Sequence, residues 1–170
     1  GIFRDLPASF QDSDGTGTLP YRYTILSVRK DGEREPYSRE TIGNAVRVQI
    51  GDPNVYLDYR VHSYEIRYLV KNMVRYSEGF DEVYWNATGT YWQFPILSAS
   101  ADVRFPDGAQ MVDANAYTGY GGSAGRDYDY RGNGTSHVFR TNRPLSPREG
   151  LTVSVSIAKG VIDPPSLSDK

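Results

Sequence analysis

Tyrosine and glycine dominate one stretch of the chain, and tyrosine rings are groups that can hold a ligand. Residues 117–135 contain Tyr117, Tyr120, Tyr128 and Tyr130 together with six glycines. A tyrosine ring can stack on a sugar ring through its apolar face while its hydroxyl makes hydrogen bonds. The four tyrosines are therefore a candidate glycan-binding surface. The simpler alternative is that these rings cover the end of the fold and shield the edge of its core.

Other residues that could do chemistry lack the neighbours that catalysis requires. His62 and His137 are the only histidines, and neither stands in a metal-ligand spacing or beside a group of carboxylates. Asp81 and Glu82 are adjacent, so on a strand their side chains would point to opposite faces and could not act as a carboxylate pair. The segment Gly122-Ser-Ala-Gly125 lacks the strand-turn-helix setting of a nucleophilic serine. We therefore expect no enzymatic activity.

Metal and cofactor sites are likewise not expected from the sequence. The chain contains no cysteine, which excludes disulfides, thiolate metal sites and cysteine nucleophiles. Asp12-x-Asp14-Gly15 resembles the start of a calcium loop, but the later carboxylates of such a loop are missing. We predict neither a bound metal nor a cofactor.

Length and charge restrict the class of protein. A chain of 170 residues suits one domain with one substantial core. Nineteen basic residues against 21 acidic ones give a net charge of −2, so the chain has no field that would recruit nucleic acid. No apolar run approaches the roughly 20 residues that span a bilayer. We predict a single domain over residues 1–160 and a linker over residues 161–170.

Apolar and polar residues alternate in most segments of the chain. This period of two residues is typical of strands with one buried face, and turns rich in glycine, proline and aspartate separate the segments. No window shows the 3.6-residue period of a helix, apart from a possible helical turn near Ser77 to Tyr84. The pattern predicts an all-β fold, an antiparallel two-sheet β-sandwich of about seven or more strands. Strands are predicted at residues 21–29, 46–50, 64–70, 99–105, 137–140 and 151–157, with a hairpin bearing a long loop over 117–135.

The segment from Asp81 to Ile96 holds both tryptophans of the chain. Large rings bury more apolar area than other side chains, so we expect this segment to anchor the packing. Trp85 and Trp92 are the first predicted core residues. The other side chains predicted to be mostly buried are Tyr64, Ile66, Tyr68, Val103, Val153 and Val155.

The same segment carries a family resemblance. Asp81-Glu-Val-Tyr-Trp-Asn-Ala-Thr-Gly89, followed by Trp92, Pro95 and Ile96, resembles the extracytoplasmic domain of a bacterial family of predicted membrane proteins, domain of unknown function 2207. Supporting segments occur in the same order along nearly the whole chain, namely Gly1-Ile-Phe-Arg-Asp-Leu-Pro7, Ile50-Gly-Asp52, Tyr64-Glu-Ile-Arg-Tyr68, Phe105-Pro106, Leu145-Ser-Pro-Arg-Glu-Gly-Leu-Thr152 and Lys159-Gly160.

The resemblance implies an exported domain that a later membrane helix, outside this chain, anchors to the membrane. The linker that begins at Val161 would then lead toward that helix. The family pattern starts with one or two strands before Gly1, so we expect an open sheet edge that a strand of another chain could extend. The resemblance brings no catalytic residue and no known ligand.

Two classes of function remain open. One is a structural or protein-interaction module at the cell envelope, with an unknown envelope protein as its partner. The other is a module that binds a cell-wall glycan through Tyr117, Tyr120, Tyr128 and Tyr130. A glycan binder should present several solvent-facing rings together, whereas an interaction module should present an open sheet edge or an apolar patch.

Overall fold

The described part of the chain consists of strands, turns and loops. The computed structural model describes residues 1–11 and 18–166. Its strands are β1 (Ile2–Pro7), β2 (Ser9–Gln11), β3 (Thr18–Pro20), β4 (Arg22–Lys30), β5 (Glu33–Arg34), β6 (Tyr37–Ile42), β7 (Ala45–Ile50), β8 (Tyr64–Lys71), β9 (Arg75–Tyr76), β10 (Phe80–Asn86), β11 (Ser100–Arg104), β12 (Met111–Gly119), β13 (Tyr128–Asn133), β14 (Ser136–Thr141) and β15 (Gly150–Ala158). All pairings are antiparallel, which confirms the all-β prediction. Within these residues there is no helix that could cross a bilayer.

The chain divides into two compact units, Gly1–Met73 and Val74–Lys170, called here the N-terminal and the C-terminal unit. The described strands form five small antiparallel sheets, whereas the sequence predicted two sheets. In the C-terminal unit a core cluster lies between two sheets, as in a sandwich. The prediction of one domain over residues 1–160 with a linker after it stays a prediction.

The N-terminal unit contains the three-stranded sheets β1-β7-β6 and β5-β4-β8 and the pair β2-β3. Leu6, Val48 and Ile50 of the first sheet and Tyr23 and Val28 of the second are buried. The Tyr23 hydroxyl donates to the carbonyl of Pro7 over 2.6 Å, which joins the two sheets. β1 lies at one end of its sheet, but the predicted contact with a strand of another chain stays a prediction.

The turn between β4 and β5 consists of the Asp31-Gly32 pair from which the sequence predicted a hairpin turn. Asp31 and Gly32 both have positive φ, 51° and 84°, as a two-residue turn with the twist of a hairpin requires. Aspartate and glycine are the residues that tolerate this backbone region. The strand predicted at residues 21–29 is therefore confirmed as β4, together with the turn that ends it.

The C-terminal unit pairs the four-stranded sheet β12-β15-β10-β9 with the three-stranded sheet β11-β14-β13. β15 lies inside the larger sheet, and its alternate residues enter the core. A buried cluster between the sheets includes Phe139 of β14 together with Leu151, Val153, Val155 and Ile157 of β15. Burial of this cluster, worth roughly 1.5–3 kcal/mol for each large side chain, is the main stabilisation of the unit.

Two predictions about the tryptophan segment are wrong. Trp85 is partly buried and packs against the core cluster, as predicted. Trp92 is also partly buried but lies outside that cluster, in a loop where its Nε1 donates to the carbonyl of Thr88 over 2.7 Å. Phe139 and Leu151, both fully buried, occupy the centre instead. The helical turn near Ser77 to Tyr84 is absent, because pairing with β15 and β9 makes residues 80–86 a strand.

Burial of the other predicted core residues is mixed. Val153 and Val155 are buried as predicted. Tyr64, Ile66 and Tyr68 alternate with exposed residues but remain half-buried, as does Val103. β8 is an end strand of its sheet, so these side chains have neighbours on one side only and keep part of their surface in solvent.

Candidate functional site

The outer face of the larger sheet in the C-terminal unit carries polar and aromatic side chains. Because Leu151 and Val153 of β15 point into the core, Thr152 between them points outward. Antiparallel pairing aligns Thr152 with Tyr117 of β12 on one side and with Asn86 of β10 on the other. Residues directly opposite in paired strands point to the same face. Three strands therefore place these side chains in one row.

The next row along the sheet brings a second tyrosine to the same face. Here Asn115 of β12 and Tyr84 of β10 flank Ser154 of β15. The guanidinium carbon of Arg75 lies 4.2 Å from the centre of the Tyr84 ring. This contact holds the ring in place through a cation–π interaction.

A cavity of about 410 Å³ opens at one end of this face. Tyr84, Tyr117 and Tyr120 provide its aromatic surface, and five uncharged polar residues provide hydroxyl or amide groups, namely Asn86, Thr90, Thr118, Ser123 and Thr152. The remaining lining residues are glycine or alanine. Its volume falls within the range of about 300–1,000 Å³ that is usual for small-molecule sites. We call it the tyrosine cavity.

The glycine-rich loop after β12 forms one wall of the tyrosine cavity. Thr118 and Gly125 exchange two backbone hydrogen bonds, of 2.8 and 3.0 Å, which close the loop at its base. A Cβ at Gly125 would lie 2.6 Å from the carbonyl oxygen of Thr118, so only glycine fits there. The Thr118 hydroxyl donates to Asp127 and accepts from its backbone N–H. These contacts give a loop of small residues a fixed base.

The loop after β10 forms the opposite wall. The side-chain oxygen of Asn86 accepts from the N–H of Gly89 over 2.8 Å, and the Thr88 hydroxyl accepts from the N–H of Leu151 over 2.9 Å. Gly150 lies against this loop, where a Cβ would come within 2.7 Å of the Gly89 carbonyl oxygen. Close backbone packing therefore positions this wall against β15.

An ion-pair network supports the base of the glycine-rich loop. Arg143 donates to both carboxylate oxygens of Glu149, over 2.9 and 3.2 Å, and lies 3.0 Å from Asp127. The hydrogen bonds from Arg143 are the main cause of the lowered pKa of Glu149 and of the lowered pKa of Asp127. Both acids are therefore held in their charged forms, and Asp127 in turn fixes Thr118.

The structure separates the four tyrosines that the sequence grouped. Tyr117 and Tyr120 line the tyrosine cavity. Tyr128 packs edge-on against Phe139, with ring centres 5.8 Å apart. The Tyr130 hydroxyl lies 2.7 Å from Nδ1 of His137, and its ring centre is 5.0 Å from that of Phe139. Tyr128 and Tyr130 thus cover the core, and only the first two belong to the candidate site.

Tyr84 is the cavity residue that the sequence analysis missed. It lies 33 positions before Tyr117 in the sequence and shares a face with it because both strands pair with β15. Alternation within residues 80–86 could have placed Tyr84 and Asn86 on one face. Nothing local in the sequence shows which strand lies beside β10.

The other residues considered for chemistry are engaged elsewhere. Asp81 is buried and accepts from Nζ of Lys159 over 2.6 Å, whereas Glu82 accepts from the Ser154 hydroxyl, so the two acids do point to opposite faces. Among the residues the structure describes, no three His, Asp or Glu side chains are grouped as metal ligands. Asp12 and Asp14 lie outside the described residues. The expected absence of metal, cofactor and enzymatic activity stays a prediction.

A second feature lies in the N-terminal unit, where residues 55–61 form an apolar loop between β7 and β8. Tyr56, Tyr59 and Val61 are almost completely exposed, and Val55 and Leu57 expose 59 and 37% of their surface. Isolated apolar residues are common on protein surfaces, but five within seven positions form a patch.

The base of the apolar loop is fixed by charged groups. His62 Nδ1 lies 2.9 Å from Asp31, and Arg60 lies 2.8 Å from Asp58 and 3.0 Å from Asp31. The Ser63 N–H also donates to Asp31, over 2.8 Å. The loop therefore presents its apolar side chains to solvent from an anchored base.

Comparison with known proteins identifies relatives but no ligand. The family described as predicted membrane protein (DUF2207) N-terminal domain matches residues 1–157. The chain is 30% identical over 129 residues to the uncharacterized protein YciQ of Escherichia coli (strain K12), which covers 75% of this chain. The chain spans only 20% of that relative's length. No solved structure matches.

Proposed function

Because the chain belongs to the DUF2207 family of predicted membrane proteins, we propose that it is a binding module that a membrane protein presents outside the cytoplasm. Its role in this proposal is non-enzymatic, and its ligand is a cell-wall glycan held in the tyrosine cavity. One observation carries the proposal. Tyr84, Tyr117 and Tyr120 line a single cavity together with side chains that supply hydroxyl and amide groups.

Aromatic rings and neutral hydrogen-bonding groups suit a sugar. The C–H groups on one face of a pyranose ring pack on an aromatic ring, and its hydroxyls exchange hydrogen bonds with neutral side chains. Tyr120 exposes 57% of its surface, so its ring is accessible at the rim. Among the described residues, the hydroxyls of Tyr117, Tyr120 and Thr152 have no hydrogen-bond partner. These groups are available to a ligand.

The tyrosine cavity lacks the side chains that hydrolysis of a glycan would use. Hydrolysis of a glycosidic bond uses two carboxyl groups on either side of the bond. The lining of the tyrosine cavity holds no carboxylate and no histidine. Asp127 does not line the cavity, and its carboxylate is already bound by the Thr118 hydroxyl and by Arg143. We therefore propose that a glycan is bound and released unchanged.

Binding to immobilised cell-wall polysaccharides tests this function. Tyr117→Ala and Tyr120→Ala should each weaken binding at least about tenfold, because each loses a stacking surface and a hydroxyl together worth roughly 1.4 kcal/mol or more. Tyr56→Ala is the matched control, since it removes an exposed tyrosine of the other unit. Equal binding by all four proteins would rule out the tyrosine cavity as the site.

A protein-interaction role is the second candidate function, and the apolar loop favours it. An exposed group of tyrosine and valine side chains is typical of the centre of a protein interface. Crosslinking in envelope fractions should capture a partner through Tyr56 or Tyr59 but not through Tyr120. Here Tyr56→Ala is the test variant and Tyr120→Ala the control, so the same two proteins separate the two candidate functions.

A further inference from the structure

We infer that the ligand of the tyrosine cavity is a short, uncharged saccharide, an inference that rests on the proposed glycan-binding function. None of the thirteen lining residues carries a formal charge. This is unusual for a chain in which 24% of residues are charged. The cavity therefore has neither a cation to pair with a carboxylate or phosphate group nor an anion to pair with an amine.

The charged groups that contact lining residues are engaged in other interactions. The Arg75 guanidinium stacks on the Tyr84 ring, and Glu82, opposite Arg75 in the strand pair, accepts from the Ser154 hydroxyl. Asp127 is paired with Arg143. A charged sugar entering the tyrosine cavity would lose hydration without gaining an opposite charge, and an unpaired charge in a partly desolvated site is costly. Neutral sugars pay no such penalty.

The volume of the cavity limits the length of the saccharide. About 410 Å³ lies near the lower end of the range for small-molecule sites, which is roughly 300–1,000 Å³. The two loop walls stand at the ends of β10 and β12, and backbone contacts at Gly125 and Gly150 hold each of them close. This arrangement fits one or two sugar rings better than a long extended chain.

Calorimetric titration of the intact chain with three disaccharides tests the inference. The probes are N,N′-diacetylchitobiose, which is neutral, a digalacturonate, which is anionic, and chitosan dimer, which is cationic. The neutral probe should bind at least about tenfold more tightly than either charged one, and its affinity should not change between 50 and 500 mM salt. Tyr117→Ala should abolish the preference together with the binding.

The possible failures of this experiment are distinguishable. A charged probe that binds as tightly as the neutral one, in a manner that Tyr117→Ala abolishes, would overturn the inference and leave the glycan-binding function intact. Absence of binding by all three probes and by immobilised cell-wall polysaccharides would overturn both. Binding that Tyr117→Ala leaves unchanged would overturn the assignment of the cavity.

Discussion

Nδ1 of His62 lies 2.9 Å from Oδ2 of Asp31, a contact between residues 31 positions apart. Asp31 occupies the hairpin turn between β4 and β5, and its other carboxylate oxygen accepts from the N–H of Ser63. Its own N–H donates to the Ser63 carbonyl over 2.7 Å. One aspartate thus fixes the end of the apolar loop to a turn of the N-terminal unit.

This contact predicts a pH optimum for the anchoring of the loop. The hydrogen bond to Asp31 raises the pKa of His62 above its ordinary 6.5, and the hydrogen bond from His62 lowers the pKa of Asp31 to about 2. The histidine contribution is complete below pH 6.5 and is lost as pH rises through the raised pKa. The aspartate contribution is present above pH 3.8, its ordinary pKa, and is lost as pH falls toward about 2. Protection of the Asp31 and Ser63 amides from hydrogen exchange, corrected for intrinsic rates, should be greatest between those limits.

A variant isolates His62 from the other groups that titrate nearby. Asp58 lies 3.3 Å from Nε2 of His62, and Arg60 contacts both Asp31 and Asp58. The charges of Asp58 and Arg60 therefore also act on the His62–Asp31 contact. His62→Gln removes the titrating ring and leaves His137 in place. Between pH 5 and 8 the amide protection of this variant should be nearly constant. The same decline in the variant as in the parent would refute the assignment to His62.

Local alternation predicted strands wherever a strand has one buried face. β7 and β15 alternate between core and surface, and the sequence analysis located both to within about a residue. β6 was missed because all six of its residues, Tyr37–Ile42, are exposed, so its sequence shows no alternation. Its strand conformation comes from pairing with β7, which is a non-local cause.

The same distinction explains the candidate site. Tyr117 and Tyr120 were found because composition marks the glycine-rich loop. Tyr84 joins them only through the registers of β10 and β12 against β15, which no local pattern encodes. The core position predicted for Trp92 was wrong for a related reason. The size of its ring shows how much area it could bury, but its place in a loop, which depends on non-local packing, decides how much of the ring is covered.

Removal of the Arg143 side chain should destabilise the C-terminal unit. Glu149 is buried, and without Arg143 its carboxylate would lose two charge-assisted hydrogen bonds. Only the hydrogen bond that the Ser146 N–H donates to Glu149 would remain among the described residues. We expect Arg143→Ala to lower the free energy of unfolding by about 1–3 kcal/mol, a range that allows for solvent screening at the half-exposed arginine. Chemical denaturation followed by tryptophan fluorescence would measure the change, since both tryptophans lie in this unit.

A control for that prediction is Arg126→Ala, which removes an exposed arginine with no ion pair among the described residues. Its free energy of unfolding should stay within about 0.5 kcal/mol of the parent. Equal losses from the two substitutions would show that the network around Glu149 contributes little.

Phe139 and Phe94 offer a matched pair for locating the core. Phe139 is fully buried and contacts Tyr128 and Tyr130, whereas Phe94 exposes 51% of its surface. Phe139→Ala should cost about 3–5 kcal/mol because it leaves a cavity between the sheets. Phe94→Ala, which loses mainly a contact with Trp92, should cost less than about 1 kcal/mol. Similar losses in the two variants, measured by denaturation, would contradict the placement of the core.

Gly125 and a control, Gly79, test whether the closed base of the glycine-rich loop shapes the tyrosine cavity. A Cβ at Gly125 would meet the carbonyl oxygen of Thr118 at 2.6 Å, so Gly125→Ala must open the two backbone hydrogen bonds between these residues. Gly79 lies outside the cavity lining, and a Cβ there would meet nothing within 4 Å. We expect Gly125→Ala to weaken saccharide binding at least about tenfold while Gly79→Ala changes it less than about twofold. Amide exchange at Thr118 should accelerate in the first variant only. If saccharide binding survives although the Thr118 amide becomes exposed, the loop does not form part of the binding site.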